Sequence, residues 1–345
     1  MRVEAFDFEL PADRIAQHPI RPRDAARLLV VGESGWLDRR VRDLPDLLTP
    51  GDLLVFNDTR VLPTRLAGRR GEVAVEVTLH SRLEASIWRA FARPAKRLRL
   101  GDRIVFAPGF AANVSAKGEA GEVTLAFEQA DRDLPGALHR HGQMPLPPYI
   151  KRGPGGAASD HADYQTIFAR HDGAVAAPTA SLHVTDTLLA ALEARGIDRA
   201  FVTLHVGPGT FLPVRVEHTR DHVMHAEWYE VPPLTAERIR ACRGRGGRVV
   251  AVGTTVLRTL ETVARARGQV EGARGETSLF LTPGDRFLVV DRLLTNFHLP
   301  RSTLFMLVAA FSGLERIKAA YAHAIEAGYR FYSYGDACLL DRSDG

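Results

Sequence analysis

Three polar clusters that each contain a histidine lie within residues 176–228. They occupy residues 178–183, 203–211 and 222–228, and each combines an apolar stretch with polar residues. Because imidazole changes charge near neutral pH, histidines grouped in this way are suited to proton transfer or to metal binding. The alternative is that they are ordinary surface or core histidines, since 13 histidines in 345 residues is a mild enrichment. This stretch is the first candidate for a catalytic site.

A metal site is one specific form that the third cluster could take. His218, His222 and His225 have the spacing i, i+4 and i+7. On a helix these three imidazoles would share one face, which is the arrangement that a divalent cation needs. However, the chain has no HExxH motif, and Met224 is typical of a packing residue. We expect no metal ion, and a metal-dependent hydrolase remains the alternative.

Composition sets the broad class of the protein. The chain is 45% hydrophobic and 25% charged, and its length of 345 residues predicts about two domains. Its two cysteines, Cys242 and Cys338, form no CxxC pattern, which fits a reducing compartment. Acidic residues near the start replace the apolar region of a signal peptide, and no apolar run has membrane-spanning length. We therefore expect a cytoplasmic protein without a membrane segment.

Positive charge is concentrated in one part of the chain. Residues 60–104 contain eleven Lys or Arg and four Asp or Glu, an excess of seven against a net charge of +4 for the whole chain. Such a local excess on a near-neutral protein predicts a polyanionic partner, and we favour a nucleic acid. The residues that we expect to contact it are Arg93, Lys96, Arg97 and Arg99. The alternative is a solvated, arginine-rich surface.

Polar residues also follow predicted buried strands outside the histidine clusters. Residues 52–56 and 248–252 read as buried strands, and each runs into polar residues. In open α/β sheets, ligands commonly bind just beyond the carboxyl ends of strands. The second of these strands leads into Gly253-Thr254-Thr255 and a helix, whose first backbone amides could hold an anion. An Asx turn and a plain helix N-cap are the structural alternatives.

Residues 61–149 have a pattern of apolar and polar residues that differs from that of the rest of the chain. Apolar and polar residues alternate at 73–79 and 123–127, and glycines interrupt the pattern at short intervals. This predicts a small antiparallel β-barrel or sandwich. Because strand–helix alternation resumes afterwards, we expect a mixed α/β main domain, formed by 1–60 and 150–345, with the barrel inserted in it.

Two helix features are also predicted from local sequence. Residues 166–169 read as part of a helix, and Ser312 with Glu315 has the spacing of a capping box for the last helix.

A set of motifs spread over the whole chain occurs in a specific order. These motifs are residues 57–61, 149–150, 164–166, 176–179, 182–183, 205–211, 222–227, 252–255, 295–304 and 334–337. Taken together and in this order, they resemble those of the S-adenosylmethionine:tRNA ribosyltransferase-isomerases of queuosine biosynthesis, the QueA family. The resemblance extends over about residues 6–340. Two departures are Ser181, where glycine is expected, and Val184, where an aromatic residue is expected.

The resemblance implies a fold and an activity. Members have an α/β body with an inserted β-barrel, and they use S-adenosylmethionine as a ribosyl donor. The ribosyl unit is transferred to the aminomethyl group of preQ1 at the wobble position of tRNA and is rearranged to give epoxyqueuosine, with release of adenine and methionine. The resemblance implies no metal ion and no prosthetic group. We expect S-adenosylmethionine and tRNA carrying preQ1 as partners, and a monomer.

This reaction needs several proton transfers. A base must remove a proton that the sulfonium acidifies at C5′, the adenine leaves more readily when protonated, and the attacking amine must lose a proton. The groups that we expect to supply these transfers are His183, His205, His225, Glu227, His298 and Asp336. The groups that we expect to bind the substrates are Asn57, Asp58, Thr59, Arg60, Thr179, Gly207, Gly209, Thr210, Gly253, Thr254, Thr255, Asn296 and Tyr334.

Two further classes of function fit the sequence less well. A non-catalytic RNA-binding scaffold would not need histidines at the ends of buried strands. A methyltransferase of the usual fold would need a glycine-rich loop after an N-terminal strand, and the chain has none.

Overall fold

The computed structural model describes residues 1–119, 121–128, 134–153, 155–207 and 214–343. The chain divides into two compact units. The first consists of Met1–Thr59, Thr166–His171 and Pro178–Gly345, and the second of Arg60–Gln165 and Asp172–Ala177. The domain division inferred from sequence, with boundaries after residues 60 and 149, stays a prediction beside these units.

The described strands and helices have the following bounds. The strands are β1 (Arg27–Gly32), β2 (Gly35–Arg40), β3 (Leu53–Asn57), β4 (Thr59–Val61), β5 (Arg65–Arg70), β6 (Val73–Arg82), β7 (Ile87–Arg93), β8 (Arg103–Ala107), β9 (Phe110–Lys117), β10 (Glu122–Phe127), β11 (His171–Ala174), β12 (Asp198–Leu204), β13 (Glu227–Val231), β14 (Val249–Val252), β15 (Ala273–Thr277), β16 (Arg292–Asn296) and β17 (Ala337–Asp341). The helices are α1 (Leu44–Leu47), α2 (Leu134–His141), α3 (Asp160–Asp163), α4 (Asp186–Ala194), α5 (Pro233–Gly244), α6 (Thr254–Arg267), α7 (Thr303–Ser312) and α8 (Leu314–Glu326).

A nine-stranded mixed sheet forms the centre of the first unit. Its strand order is β15-β13-β12-β3-β14-β16-β17-β1-β2. Strands β12, β3, β14 and β16 are parallel neighbours, whereas β13 and β17 run antiparallel to β12 and β16. Every residue of β3 and β14 is buried, as expected for central parallel strands covered on both faces. Mixed α/β architecture for this unit is therefore confirmed.

Local sequence explains where the helices of this unit begin and end. Thr185 caps α4 by accepting a hydrogen bond from the backbone N–H of Leu188. Helix α6 begins directly after Gly253, whose φ is +98°, and ends at Gly268 in the left-handed conformation. Glycine suits both positions because other residues rarely adopt positive φ. The Gly253 turn places Thr254 and Thr255 at the start of a 14-residue helix.

Two local helix predictions were wrong. Residues 166–169 are not helical, and the helix of this region is the four-residue α3. Phe168 instead packs its ring 4.4 Å from that of Phe56, so tertiary packing determines its conformation. The capping box is absent because Ser312 is the last residue of α7 and takes a helical conformation. Its hydroxyl donates to the Asp341 carbonyl, and Gly313 occupies the N-cap position of α8.

The second unit contains a closed antiparallel barrel with the strand order β10-β7-β6-β5-β8-β9. Its core contains the alternating apolar residues of β6 and β10, including Val75, Val77 and Val123. Gly68 is required where β5 approaches β8, because a Cβ there would lie 2.8 Å from the Val105 carbonyl oxygen. The predicted inserted antiparallel barrel is confirmed. In the described part of the chain, no helix is long and apolar enough to cross a membrane.

Candidate active site at the carboxyl edge of the large sheet

One edge of the nine-stranded sheet collects most of the predicted site residues. The four parallel strands β12, β3, β14 and β16 end there, and the antiparallel strands β13 and β17 begin there. This is the position at which α/β sheets usually bind ligands. The residues at or just past these strand ends are His205, Asn57, Asp58, Thr59, Gly253, Thr254, Thr255, Asn296, His298, Glu227 and Asp336.

The buried side chain of Asn57 connects three of these strand ends. Its Oδ1 accepts hydrogen bonds from the backbone N–H groups of Thr59 and Leu204, both at 3.1 Å. Its Nδ2 donates to the Leu204 carbonyl at 2.9 Å and to Thr255 Oγ1 at 3.3 Å. Because all four contacts are to the protein, Asn57 fixes the relative positions of β3, β12 and the start of α6.

His205 is half-buried at the end of β12. Its Nδ1 lies 2.8 Å from Thr59 Oγ1, and its ring stacks on Trp228 with centroids 5.0 Å apart and an interplanar angle of 19°. Its backbone N–H also donates to the Trp228 carbonyl. A ring held on one edge and one face in this way has a fixed orientation, which a general acid or base requires.

Asp58 is a buried carboxyl group that directly precedes Thr59 in the chain, and 5% of the residue is exposed. Burial raises its pKa above the ordinary value, although a hydrogen bond from Thr203 and the nearby His171 act in the opposite direction. Thr203 Oγ1 donates to Asp58 Oδ1 at 2.7 Å, and His171 Nε2 lies 3.6 Å from Oδ2. A carboxyl group whose pKa is raised keeps a proton to a higher pH and is suited to donate it.

His183 belongs to a second, fully hydrogen-bonded cluster. Thr179 donates to Asn296 Oδ1 at 2.8 Å, which leaves Asn296 Nδ2 to donate to His183 Nε2 at 3.1 Å and to the Tyr332 carbonyl at 3.3 Å. His183 Nε2 is therefore an acceptor, and the proton of the neutral ring is on Nδ1. Burial, with Arg23 and Arg330 nearby, lowers the pKa of His183 to about 3.

His298 and Asp336 also have contacts that fix the protein itself. Burial lowers the pKa of His298 to about 3, and its Nε2 lies 3.0 Å from Thr295 Oγ1. Asp336 accepts from the backbone N–H of Arg27 at 3.0 Å and of Arg330 at 2.8 Å. The structure thus brings both residues to the edge but engages His298 with a neighbouring hydroxyl and Asp336 with two backbone N–H groups.

Glu227 forms a buried ion pair with Arg258, a residue that was not among those predicted for the site. Its Oε2 accepts a hydrogen bond from Arg258 Nη1, and its Oε1 accepts from the backbone N–H of Gly207 at 2.8 Å. Arg258 also donates from Nε to the Leu279 carbonyl at 3.0 Å. The signal that could have revealed Arg258 is a charged residue directly after Leu257 and close to Leu260, in the buried part of α6.

Other predicted site residues lie in different surroundings. Tyr334 is buried in the first unit, and the Arg23 guanidinium lies 5.9 Å from its ring centroid. Arg60 belongs to the second unit, where it lies 3.6 Å from Asp172. Gly209 and Thr210 fall outside the described residues. Arg93, Lys96, Arg97 and Arg99 are all exposed in the second unit.

The helix that would align three histidines for a metal ion is not formed. Only Thr219–Asp221 forms a short 3₁₀ turn, and residues 222–226 are not helical, so His218, His222 and His225 do not share a helix face. His225 is exposed, and burial followed by the nearby His225 charge lowers the pKa of His222. Across the described ranges, no group of three or more His, Cys, Asp or Glu residues could hold a metal ion.

Comparison with known proteins identifies the family to which this architecture belongs. Residues 3–340 match the family model described as queuosine biosynthesis protein. The S-adenosylmethionine:tRNA ribosyltransferase-isomerase of Rhodospirillum rubrum is 60% identical over 344 residues, which covers 100% of this chain and 99% of that protein. The protein of the same name from Maricaulis maris is 58% identical, with 99% of each chain covered.

A solved structure supports the same relationship. The crystal structure of the S-adenosylmethionine tRNA ribosyltransferase of Thermotoga maritima matches with a TM-score of 0.56 and 38% sequence identity. The match covers 97% of this chain and 99% of that one. From the full-length match to the family model and the high identity to its relatives, the chain belongs to the family of queuosine biosynthesis proteins.

Proposed function

We propose that this enzyme transfers the ribosyl moiety of S-adenosylmethionine to the aminomethyl group of preQ1 at the wobble position of tRNA. The ribosyl unit is isomerised in the process, which gives epoxyqueuosine in the tRNA and releases adenine and methionine. The names and the 55–60% identity of the relatives support this activity. In this chain, the observation that carries the proposal is the sheet edge at which β12 ends at a half-buried histidine, β3 ends at a carboxyl group of raised pKa, and β14 leads into the N-terminus of α6.

The residues of this edge suggest a division of roles. His205, oriented by Thr59 and Trp228, is the group that we assign to proton removal at C5′ of the sulfonium substrate. Asp58 is the group that we assign to protonation of the leaving adenine, because its raised pKa suits a donor. The side chains of His183, His298 and Asp336 are engaged with neighbouring protein groups, and we assign them no proton transfer.

The most direct test of the activity measures released products. Purified protein is incubated with S-adenosylmethionine and tRNA carrying preQ1, and adenine and methionine are quantified by chromatography. We expect both products in equal amounts and a mass increase in the tRNA. Production of S-adenosylhomocysteine would instead indicate a methyltransferase. Binding of tRNA without any product would indicate the RNA-binding scaffold.

We assign the tRNA contact to the exposed basic residues of the barrel unit. Arg93, Lys96, Arg97 and Arg99 lie on or just after β7, where their charges are accessible to phosphates. The double variant Arg97→Glu/Arg99→Glu is expected to raise KM for tRNA by about tenfold or more at moderate salt, with little change in KM for S-adenosylmethionine. Binding of tRNA by the unmodified enzyme should weaken as the salt concentration rises.

A charge-matched control separates this effect from the loss of net positive charge. Arg39→Glu/Arg42→Glu makes the same charge change at exposed positions of the first unit. Equal increases in KM for tRNA in both double variants would place the tRNA on another surface. We further propose that the enzyme acts as a cytoplasmic monomer, for which sedimentation equilibrium at several protein concentrations is the test of the oligomeric state.

A further inference from the structure

Arg258 and Glu227 form a deeply buried ion pair, and the stability of the fold does not explain why it is there. Their side chains are each 6% exposed. Desolvating two charges is costly, and replacing such a pair with apolar residues of similar volume is often neutral or stabilising. In addition, Arg258 Nη2 is buried without a hydrogen-bond partner among the described residues. The pair is therefore not optimised for the stability of the fold.

The ion pair is linked to two neighbours of His205, the chain that follows it and the Trp228 ring that stacks on it. Glu227 Oε1 accepts from the N–H of Gly207, two residues after His205. Glu227 also precedes Trp228, whose ring stacks on His205 and whose carbonyl accepts from the His205 N–H. Through Glu227, Arg258 thus restrains both the chain that follows the histidine and the aromatic ring that covers its face.

We propose that Arg258 is a positioning residue for His205. Its guanidinium is anchored to the Leu279 carbonyl and fixes the Glu227 carboxylate, and Glu227 fixes Gly207 and Trp228 around the imidazole. Glu227 itself acts through these neighbours, because both of its oxygens are engaged with the protein. The inference rests on the proposed function for its effect on turnover, but the predicted change in the His205 ring does not depend on it.

The chain supplies a matched control for a buried arginine. Arg292 is 6% exposed as a residue, pairs with Asp341 and donates to the Leu47 carbonyl at 2.9 Å. It is the first residue of β16, whereas the site lies at the last residue of that strand. Arg258→Met and Arg292→Met therefore each remove a buried arginine from an ion pair, although the Asp341 side chain is 37% exposed and that of Glu227 is 6% exposed.

The decisive measurement is the NMR signal of His205 in protein labelled with ¹³C-histidine, assigned by its loss in His205→Ala. Stacking on Trp228 shifts the ring protons of His205 by the ring current. In Arg258→Met these signals should move toward those of an unstacked histidine, while Arg292→Met should leave them in place. Unchanged His205 signals in a folded Arg258→Met would overturn the proposal whether or not the enzyme proves to have the proposed activity.

Kinetics provide the second readout. In Arg258→Met, kcat for adenine release should fall by about a hundredfold, since small displacements of a catalytic group have effects of this size, and KM for S-adenosylmethionine should change by less than about threefold. Arg292→Met should retain kcat per folded molecule. An equal loss of kcat in both variants would contradict a positioning role.

A conservative variant covers the case in which Arg258→Met does not fold. Lysine in Arg258→Lys can still reach the carboxylate but cannot also make the planar, two-sided contact with the Leu279 carbonyl. Its His205 signals and kcat should lie between those of the wild type and those of a full loss. Wild-type signals and wild-type kcat in Arg258→Lys would also overturn the proposal.

Discussion

His183 and His205 lie on the same edge of one sheet but have opposite environments. His183 is 4% exposed, its Nε2 accepts from Asn296, and burial lowers its pKa to about 3. His205 is half-buried and is held by Thr59 on one edge and Trp228 on one face. The two look alike in the sequence, because each is a histidine within a polar cluster. The two imidazoles thus differ in desolvation and not in position on the sheet, and our proposal assigns proton transfer only to the less buried one.

The largest expected effect concerns His205. His205→Ala should lower kcat for adenine release by about 10³-fold, within the range for loss of a general acid or base, with little change in the free energy of unfolding. Product release and urea unfolding measure the two quantities. His218→Ala, a half-buried histidine outside the sheet edge, is the control and should retain activity within about twofold. If His183→Ala lost more turnover per folded molecule than His205→Ala, the comparison would be reversed.

A smaller effect is expected for Asp58, which we assign to proton transfer, than for His205. Asp336, whose carboxylate is bound by backbone N–H groups, should instead affect stability. Asp58→Asn should lower kcat by about 10²-fold, because the amide can still accept from Thr203 but cannot transfer a proton. Asp336→Asn should instead lower the free energy of unfolding by about 1–3 kcal/mol, because its new NH₂ group would face a backbone N–H. Steady-state kinetics and urea unfolding of both variants provide the check. A fully stable but inactive Asp336→Asn would contradict the assignment of Asp336 to stability and not to turnover.

The smallest effect is a change in the pH dependence of stability. The pKa of His298 is about 3 in the folded protein and has an ordinary value of 6.5. Between these values the unfolded chain binds a proton that the folded chain does not, so stability is complete above about pH 6.5 and falls as the pH decreases toward 3. The contribution of this one residue to the slope is up to about 1.4 kcal/mol per pH unit.

His298→Gln should remove this contribution, so its free energy of unfolding should decrease less steeply than that of the wild type between pH 6.5 and 5. Urea unfolding at several pH values, followed by tryptophan fluorescence, measures the slope. His183→Gln is expected to behave in the same way, since burial also lowers the pKa of His183 to about 3. His18→Gln, at an exposed position, controls for the substitution itself. An unchanged slope in His298→Gln would show that this ring titrates in the folded protein.

The sequence predicted the fold well because its patterns are local. Period-two alternation at 73–79 and 123–127 indicated the barrel, and short apolar runs indicated β3 and β14 with polar residues at their ends. The contacts within the site could not be predicted, because they join residues that are far apart in the chain. Asn296 and His183 are separated by 113 positions, and Arg258 meets Glu227 only after two strands and two helices have packed.

The same limit explains the predictions that were wrong. The spacing of His218, His222 and His225 fits a helix, but spacing alone does not form one, and no packed apolar face supports a helix there. Phe168 shows the converse case, in which two aromatic neighbours determine the conformation of a segment that reads as helical. Local propensity is a weak guide wherever a few tertiary contacts are available.

The side chain of Asn57 makes the two hydrogen bonds that one more residue pair between β3 and β12 would make. It serves both the N–H and the carbonyl of Leu204, as an opposing peptide unit would, at the level where the two backbones separate. These two bonds fix the register of β3 against β12 at the carboxyl ends of both strands. Asn57→Ala is therefore expected to free Leu204, the residue before His205, from its side-chain contacts with β3.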